Sequence, residues 1–463
     1  MTLLVRAPTT YLPERRYALD IVLSEWLGLD YILEAADHGP VTLHLVGDDQ
    51  DAEVVVPDLL FATTTESWLT EDSLPVLDRP LVPIVGLDPA APLPVLYGSP
   101  GGDAPWTGTG NRIFLPIDVF GTVFFLLTRY EEVARPVRDD HDRFPASASL
   151  AAAGGFLERP VADESVELLW HALQSLWPRL ERSTPTFRLS LTHDVDQPWA
   201  ALGLGLREWL HGVAGDVGRR RDPRLAARRV LAGVDSLHGV VDRDPFNTFD
   251  FLMSTSERHN LVSTFFFLAG TTDPRLDGTY ALADPPVARL LREIDDRGHE
   301  IGLHGSYATH RSSDLLRAER DALAAACHGV GLEREPRAVR QHFLRFDSAV
   351  TWRQQSDAGL TSDSTLGFAD AIGFRAGTCR DFPVFDLEAR RVLPLRERPL
   401  LVMDVSLLDY MELDLESAAV RVRQLVQACR RHAGNAVLLF HNSGLGGARQ
   451  RAFYRELVDD VMG

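Results

Sequence analysis

A strand–helix–strand pattern between residues 263 and 305 constrains the fold of this chain most strongly. The run STFFFLAG (263–270) is apolar almost throughout, as is typical of a strand buried on both faces of a parallel sheet. The next segment begins with Asp284, which can cap a helix, and two prolines, and then repeats apolar residues at helical spacing. Gly298 suits the end of that helix, and the strand HEIGLH (299–304) follows. The pattern predicts a β/α barrel or an open α/β sheet.

Four segments of the second half end a predicted strand with residues suited to metal-assisted hydrolysis. Active sites of parallel α/β folds gather at the carboxyl ends of the strands, so we expect these residues to meet. A single histidine at a strand end is usually structural, but four such segments in one region favour a shared site. The segments are LTHDVD with Asp194 and Asp196, GLHGSYATH with His304 and His310, RQHFLRFD with Arg340, His342 and Asp347, and VLLFHNS with His441.

Asp194 and Asp196 are carboxylates one residue apart, an arrangement that charge repulsion disfavours. Residues two apart in a strand point to the same side, so both carboxylates can face one pocket. A metal ion in that pocket would relieve the repulsion and keep both groups ionised. His193 lies between them and should point the other way, so we expect it to pack or hydrogen-bond locally.

The length of 463 residues predicts two domains, because it exceeds what one ordinary core needs. A change in composition near Pro185 places the boundary between residues 1–185, an α/β domain of unknown role, and residues 186–463. The first half contains predicted strands (VTLHLVG, AEVVV) and helices (DVFGTVFFLLTRYEE, with Asp118 near its N-cap, and ESVELLWHALQSLWPRLE). It shows no His, Cys or carboxylate cluster with ligand spacing.

A formal net charge of -19 argues against nucleic acid or an anionic membrane as a partner, although it does not forbid a local basic patch. The arginine-rich insertion GDVGRRRDPRLAARRVLAG (215–233) is interpreted as a solvated helical excursion rather than a lid that binds an anionic substrate. The apolar start of the chain is too short for a signal segment, and the longest apolar run, 119–127, is too short for a membrane span. We therefore expect a cytoplasmic protein.

The three cysteines have no CxxC or metal-ligand spacing and do not form a disulfide framework. Cys327 and Cys429 fall in helical patterns and are predicted to be buried apolar residues.

The second half resembles the polysaccharide deacetylase family, also called the NodB-homology or carbohydrate esterase family 4 proteins. The resemblance covers roughly residues 186 to 463 and rests on LTHDVD, STFFFLAG, RGHEIGLHGS, DSTLGFADAIGFRAG and VLLFHNS, in that order. The first half is similar to an N-terminal region fused to such domains in some bacterial proteins. The resemblance implies a distorted (β/α) barrel of the NodB type, preceded by a smaller α/β domain.

The resemblance also implies a divalent metal, in this family often zinc, that polarises the acyl carbonyl. Asp194 then matches the general base and Asp196 a metal ligand. His304 matches the first histidine ligand, Arg340 the arginine that orients the base, and His441 the histidine that protonates the leaving group.

The third metal ligand stays open between two histidines. The family's second histidine normally comes four residues after the first, where this chain has Ala308. His310 lies six residues after His304 and reaches the metal if GSYATH is a loop. His342 lies where the family has a proline and is the alternative. If neither binds, the site is metal-free or the protein is catalytically inactive.

Three further residues have open roles. Arg375 in GFRAG can orient the base or bind substrate hydroxyls and carboxylates. Asp404 and Asp363 are alternative carboxylate partners for His441, which needs one to act as a general acid.

The function implied is a metal-dependent hydrolase that removes acetyl groups from an acetylated sugar or glycan precursor. One alternative is a carbohydrate-binding protein on a barrel that no longer turns over substrate. Another is a metal-independent amidohydrolase on the same fold, since fold alone does not fix function.

Overall fold

The computed structural model describes residues 1–76, 92–99, 105–218 and 221–463. Two β-sheets organise them, a six-stranded sheet from residues 2–114 and a nine-stranded sheet from residues 188–439. Within the described residues, no helix is both long and apolar enough to cross a membrane.

The six-stranded sheet is mixed, with the order β2-β1-β3-β4-β6-β5. β1 pairs with β2 and β4 with β6 in parallel, and the other pairs are antiparallel. The strands are β1 (Thr2–Pro8), β2 (Asp30–Ala36), β3 (Val41–Leu45), β4 (Glu53–Val56), β5 (Thr107–Thr109) and β6 (Arg112–Phe114). The two strands predicted from VTLHLVG and AEVVV are confirmed as β3 and β4.

Helices pack on this sheet through apolar side chains. They are α1 (Leu12–Leu19), α2 (Val119–Leu127), α3 (Tyr130–Ala134), α4 (Leu150–Ala153) and α5 (Val161–Leu176). All nine residues of α2 are buried, and Asp118 caps it by accepting a hydrogen bond from the Gly121 amide, as predicted. The amphipathic helix predicted before the domain boundary is confirmed as α5.

Residues 1–185 are the first region, and the second region, residues 186–463, alternates strands and helices. The strands are β7 (Arg188–Val195), β8 (Thr264–Leu268), β9 (Glu300–Gly305), β10 (Ala338–Gln341), β11 (Ser362–Asp363), β12 (Phe382–Asp386), β13 (Arg391–Glu397), β14 (Leu400–Met403) and β15 (Asn435–Leu439). The helices are α6 (Leu206–Gly218), α7 (Pro223–Ser236), α8 (Phe249–Glu257), α9 (Pro285–Asp296), α10 (Ser313–Gly329), α11 (Thr351–Asp357), α12 (Leu415–Arg431) and α13 (Ala448–Met462).

The nine strands follow the order β12-β13-β11-β10-β9-β8-β7-β15-β14. Every neighbouring pair from β13 to β14 is parallel, and β12 joins the edge antiparallel to β13. β8 and β15 are buried at all five positions, which explains why their sequences read as continuous apolar runs.

The expected distorted barrel is not closed: in the described part of the chain, β12 and β14 do not pair, and the sheet stays open. Each edge is covered in another way. The loop after β11 lies along β14, where Leu400 N donates to Leu366 O (3.0 Å) and Gly373 N to Leu401 O (3.0 Å). The edge strand β12 faces the first region, where Tyr17 Oη donates to Pro383 O (2.8 Å). Neither edge is left needing a strand partner.

Local predictions for the second region are largely confirmed. Gly298 follows α9 with φ 78°, the left-handed conformation that glycine adopts readily. Asp284 is the N-cap residue of α9, but its side chain accepts a hydrogen bond from Ala281 N (2.9 Å) and does not cap the helix. Cys327 and Cys429 are buried in α10 and α12, and both are free thiols. The arginine-rich insertion is helical, as α6 and α7, although residues 219 and 220 lie outside the described part.

The two sheets share a hydrophobic core. Apolar residues of the first region, such as Leu19 and Phe124, belong to the same buried cluster as Trp352, Phe382 and Phe385 of the second. Tyr17 packs its ring against Phe385, with centroids 5.1 Å apart. The boundary at residue 185 therefore crosses one continuous apolar core.

Candidate functional site

Five of the residues singled out in the sequence line one cavity of about 140 Å³. Their strands are neighbours in the order β10-β9-β8-β7-β15, so the carboxyl ends of these strands meet at one edge of the sheet. Polar side chains placed in or just after these strand ends therefore converge. The five residues are Asp194, Asp196, His304, His342 and His441.

Asp196, His304 and His342 form a group whose ligand atoms all lie within 4.8 Å of one another. Oδ1 of Asp196 is 3.1 Å from Nε2 of His304 and 3.6 Å from Nε2 of His342. One carboxylate oxygen and two imidazole nitrogens thus face a common point. This is a donor set that suits Zn²⁺ and related divalent ions.

The two histidine rings are oriented by bonds on their other nitrogen. Nδ1 of His304 donates to the carbonyl oxygen of Arg340 (2.9 Å), and Nδ1 of His342 donates to Oδ1 of Asp277 (2.9 Å). Since Nδ1 of each ring is engaged in this way, Nε2 is the nitrogen that faces Asp196, and in the neutral ring its lone pair is available to a metal ion. Metal-binding histidines are usually fixed by such carbonyl or carboxylate partners.

The buried oxygen of Asp196 supplies a test of whether a cation fits. Oδ1 is buried and accepts no well-directed hydrogen bond, although two imidazoles face it. Burial works to lower the pKa of His342, but Asp196 and Asp277 outweigh it and raise this pKa to about 9. The carboxylates therefore attract positive charge to this point, and a divalent ion can take the place of that proton. The residues present fit a metal.

The backbone after His342 is strained. Phe343 (φ 62°) and Leu344 (φ 53°) both adopt the left-handed conformation, which is unfavourable for side chains of this size. The Phe343 ring packs against His342 and lines the cavity. The strain is located where the chain must turn from β10 to place His342 beside Asp196.

Asp194 is held by a buried arginine. Nη1 of Arg340 donates to Oδ1 of Asp194 (2.9 Å) and lies 2.9 Å from Oγ1 of Thr192. The same guanidinium donates to the backbone carbonyl and the hydroxyl of Ser364 and lies over the ring of Phe266 (4.6 Å). The arginine is fully buried, so its fork fixes the Asp194 carboxylate in one orientation.

His441 and Asp404 form a second pair at the rim of the cavity. Nδ1 of His441 is 2.7 Å from Oδ1 of Asp404, and the backbone amide of His441 donates to Oδ2 (2.9 Å). Nε2 of His441 is 3.5 Å from Oδ2 of Asp196. Burial works to lower the pKa of His441, but Asp404 and Asp196 outweigh it and raise this pKa to about 10. His441 is therefore held as a proton donor.

His310 is not part of this group. The short 3₁₀ helix Thr309–Arg311 turns its ring toward the first region, where Nε2 lies 3.3 Å from Oδ2 of Asp142. Burial and Arg345 lower the pKa of His310 to about 4. Of the two alternatives for the third ligand, the structure places His342 beside Asp196 and His304.

Arg375 also lies outside the cavity. It is buried, and Nε and Nη2 form a bidentate pair with Glu132 of the first region (2.9 and 2.8 Å). Its Nη1 donates a third hydrogen bond, to Gly367 O (2.8 Å). Arg375 therefore joins the two regions, and the structure gives it no contact with the candidate catalytic groups.

The carboxylates Asp363 and Asp347 have other partners as well. Asp363 lies beside Glu397 in a fully buried pair, and Asp363 also accepts from the hydroxyl of Thr365. The structure thus assigns Asp404, not Asp363, to His441. Asp347 pairs with Arg138 and Arg311 (3.4 and 2.7 Å) and faces the first region.

Three residues of the site belong to none of the motifs identified in the sequence. Asp277 lies in the loop after β8, and its position after a strand end is the signal that could have identified it. Arg143 and Tyr410 line the cavity, and Nη2 of Arg143 lies 3.3 Å from the Tyr410 hydroxyl. Arg143 belongs to the first region, so no pattern within the second half could reveal it.

A loop of the first region, residues 138–143, packs against the segments that follow both histidine ligands. Nδ1 of His141 lies 3.1 Å from the Tyr307 hydroxyl, and its ring packs on Phe343 (4.7 Å between centroids). Arg345 donates to the carbonyl oxygen of His141 (2.8 Å). The first region therefore supplies one wall of the cavity.

His193 lies outside the cavity, as expected. Nδ1 donates to the carbonyl oxygen of Phe440 (2.8 Å), the ring packs on Phe265, and Nε2 is buried without a partner. Burial lowers the pKa of His193 to about 3, so the ring is neutral.

Comparisons with known proteins find one matching family model, for the first region, and distant likenesses to solved structures. Residues 3–178 match the model of a family of unknown function, DUF7033. No curated protein matches the chain. Similar solved structures include a Mycobacterium smegmatis protein that carries the name polysaccharide deacetylase, with 18% identity and a TM-score of 0.38, covering 60% of this chain and 88% of that one.

Two further solved structures are similar to this chain at comparably low sequence identity. One is a Pseudomonas aeruginosa PAO1 protein also named a polysaccharide deacetylase (14% identity, TM-score 0.38, 67% of this chain and 90% of that one). The other is the chitin deacetylase of the fungal pathogen Colletotrichum lindemuthianum (13% identity, TM-score 0.30, 60% and 86%). Identities and TM-scores this low carry no information about the activity of this chain.

Proposed function

We propose that this protein is a metal-dependent hydrolase that removes an acetyl group from an acetylated sugar or glycan precursor. The observation that carries the proposal is the convergence of Asp196 Oδ1, His304 Nε2 and His342 Nε2 on one point. Asp194 and His441 border the same cavity and supply the two proton-transfer groups that hydrolysis needs. The resemblance of LTHDVD, RGHEIGLHGS and VLLFHNS to the deacetylase motifs supports the same assignment.

A divalent metal held by Asp196, His304 and His342 would polarise the acyl carbonyl and lower the pKa of water. Asp194 accepts the proton of the attacking water. Its Oδ1 is occupied by Arg340, so Oδ2, which lies 3.7 Å from His304 Nε2, is the oxygen that remains for that proton. Arg340 is a positioning residue here, because it contacts Asp194 and not the cavity.

His441 donates a proton to the leaving amine or alkoxide. Asp404 holds its Nδ1–H, so the proton on Nε2 points toward Asp196 and the cavity. The raised pKa of His441 keeps that proton in place at neutral pH. One base and one acid are thus arranged around the same small volume.

The shapes of the two adjoining spaces support a small acyl group on a larger polar molecule. The cavity of about 140 Å³ suits an acetyl group, and a wider groove of about 1040 Å³ begins at Asp196 and His342. Gln197 and Thr279 line that groove and offer hydrogen-bond partners for hydroxyl groups. A sugar can lie in the groove while its acetyl group enters the cavity.

The proposal is tested by measuring metal content and acetate release with the full chain. Wild-type protein is expected to bind about one divalent ion and to release acetate from acetylated amino sugars. His304→Ala and His342→Ala should each lose the ion and activity. His310→Ala is the matched control, because it removes an equally buried imidazole from a neighbouring loop and should retain the ion.

Three outcomes contradict the proposal. If wild-type protein takes up no divalent ion when it is supplied, the metal-dependent reaction is wrong. If it binds the ion and acetylated sugars but releases no acetate, the chain is a carbohydrate-binding protein. Acetate release that survives both Asp194→Asn and chelation would indicate a metal-independent hydrolase.

A further inference from the structure

The hairpin formed by α6 and α7 exposes a continuous apolar face. On α6, Leu206, Leu210 and Val217 are 72%, 52% and 54% exposed, and their spacing places them on one side of the helix. On α7 and its C-cap, three residues at the same kind of spacing are exposed by 41%, 57% and 82%: Val230, Val234 and Leu237. Eight of the 20 large apolar residues exposed in the described chain lie between residues 206 and 240.

Both rows point away from the body of the protein. Trp209 of α6 faces α7, because its Nε1 donates to Arg229 O (3.1 Å) and its ring lies against Gly233. Glu208 and His211 occupy the side of α6 that lines the groove. Given 3.6 residues per turn, Leu206, Leu210 and Val217 are left on the outer side.

The second helix is oriented in the same way. Leu225 and Arg228 of α7 face the second region, where Nη1 of Arg228 donates to Gly446 O (3.0 Å). Val230 and Val234 lie on the opposite side of α7. The two rows therefore form one outward face, which no other element of the described chain covers.

The stretch of sequence that contains the hairpin has a net charge opposite in sign to that of the whole chain. Residues 206–240 contain seven arginines and four acidic residues, a net charge of +3, while the chain carries -19. Arg207, Arg221 and Arg224 are exposed at the margins of the hairpin. Arg219 and Arg220 stand in the same stretch of sequence, outside the described residues.

We propose that the α6–α7 hairpin is a docking surface for an anionic membrane. An apolar face bordered by arginines is the pattern of helices that lie in the plane of a lipid interface, where the apolar side enters the acyl boundary and the cations meet lipid phosphates. A second copy of the chain fits less well, because a symmetric contact would place two cationic hairpins against each other.

The hairpin also borders the route to the candidate active site. Glu208, His211 and Gly215 line the same groove as Asp196 and His342. The groove lies on the other side of α6, so docking of the outer face holds the groove about one helix diameter, roughly 10–12 Å, from the lipid surface. If the proposed hydrolase activity holds, on which this step rests, the substrate class is an acetylated glycan attached to a membrane lipid.

Vesicle sedimentation of the full chain tests the docking surface without using activity. Binding to phosphatidylglycerol-containing vesicles is expected to be at least tenfold stronger than to pure phosphatidylcholine vesicles, and to weaken with salt, because arginine–phosphate attraction is screened. The double variant Leu210→Ser/Val234→Ser should reduce binding to the anionic vesicles about tenfold. The control Leu315→Ser/Val420→Ser, which changes exposed apolar residues of α10 and α12, should bind like wild type.

The inference is overturned if the wild type does not sediment with anionic vesicles, or if both double variants bind equally well. It is also overturned if Leu210→Ser/Val234→Ser abolishes a wild-type dimer in analytical ultracentrifugation, which would assign the face to a second copy. Hydrolysis of a soluble acetylated sugar should be the same in Leu210→Ser/Val234→Ser as in wild type. Vesicle binding without any hydrolysis would refute the proposed function and leave the docking surface standing.

Discussion

His342 Nδ1 lies 2.9 Å from Oδ1 of Asp277, and this bond turns the opposite nitrogen of the ring toward Asp196. Asp277 also accepts hydrogen bonds from the amides of Thr272, Asp273 and Tyr307. Its carboxylate is therefore held in place by bonds that do not involve the histidine. These bonds and His342 outweigh burial and hold the pKa of Asp277 at about 2. The carboxylate thus stays charged and orients the imidazole.

Asp277→Asn is expected to weaken metal binding by about 10- to 100-fold, the usual effect of removing a residue that orients a metal ligand. Competition with a chromogenic chelator measures it. Asp273→Asn is the matched control, because Asp273 lies in the same loop and contacts no histidine of the site. Equal metal affinity in Asp277→Asn and wild type would show that the bond does not position His342.

Asp404→Asn is expected to lower the pKa of His441, since the neutral amide no longer stabilises the imidazolium. His441 acts as an acid, so activity falls as pH rises through its pKa. The alkaline limb of the kcat–pH profile should therefore move to lower pH in the variant. Asp409→Asn, an exposed change in the following segment, should leave the profile unchanged. An unmoved alkaline limb in Asp404→Asn would assign that limb to another group.

Arg375→Met is expected to destabilise the protein by about 3 to 5 kcal/mol, because the buried Glu132 carboxylate loses one of the two arginines that balance its charge. Burial works to raise the pKa of Glu132, but Arg375 and Arg129 outweigh it and hold the value at about 2. Arg396→Met is the control. It breaks an ion pair with Glu25 that also joins the two regions but is largely exposed, so its loss should cost less than about 1 kcal/mol. Thermal unfolding of both variants makes the comparison.

His193 makes folding stability depend on pH. Its folded-state pKa of about 3 lies below the unfolded value of about 6.5, so the unfolded chain binds a proton that the folded chain excludes. The free energy of unfolding is therefore highest, with respect to His193, above about pH 6.5, and it falls as the pH is lowered toward about 3. At about pH 5 the loss is roughly 2 kcal/mol.

His193→Asn removes that loss while its side-chain amide can still donate to the Phe440 carbonyl. Urea unfolding at about pH 7.5 and pH 5 should therefore show a smaller pH dependence in the variant. His38→Asn, on the surface, should behave like wild type. A variant with the full wild-type pH dependence would assign the effect to other histidines.

Much of the candidate site could be predicted from local sequence, because polar residues at the ends of parallel strands meet at one edge of the sheet. Asp194, Asp196, His304 and His441 each sit at or just past the end of an apolar run, and parallel strands bring such positions to one edge. The sequence could not predict whether His310 or His342 is the third candidate ligand. That choice depends on how the loop after β9 turns, and that loop is held by Asp142 of the first region.

The remaining differences are also long-range. Arg375 has a neighbour, Glu132, 243 residues away in the chain, and no local pattern marks that pair. The open form of the sheet is also a long-range feature, since the loop after β11 and Tyr17 of the first region cover the two edges. Periodicity describes each element well, but it does not contain the contacts between distant elements.

The shared core has a consequence for inheritance. A cut at residue 185 would uncover Trp352, Phe382 and Phe385 and leave Arg375 without Glu132. Recombination that exchanged the first region for an unrelated one would carry the same penalty, unlike recombination across an exposed linker. Selection therefore acts on the two regions together, and substitutions at Glu132 and Arg375 are expected to change in concert across descendants of this chain.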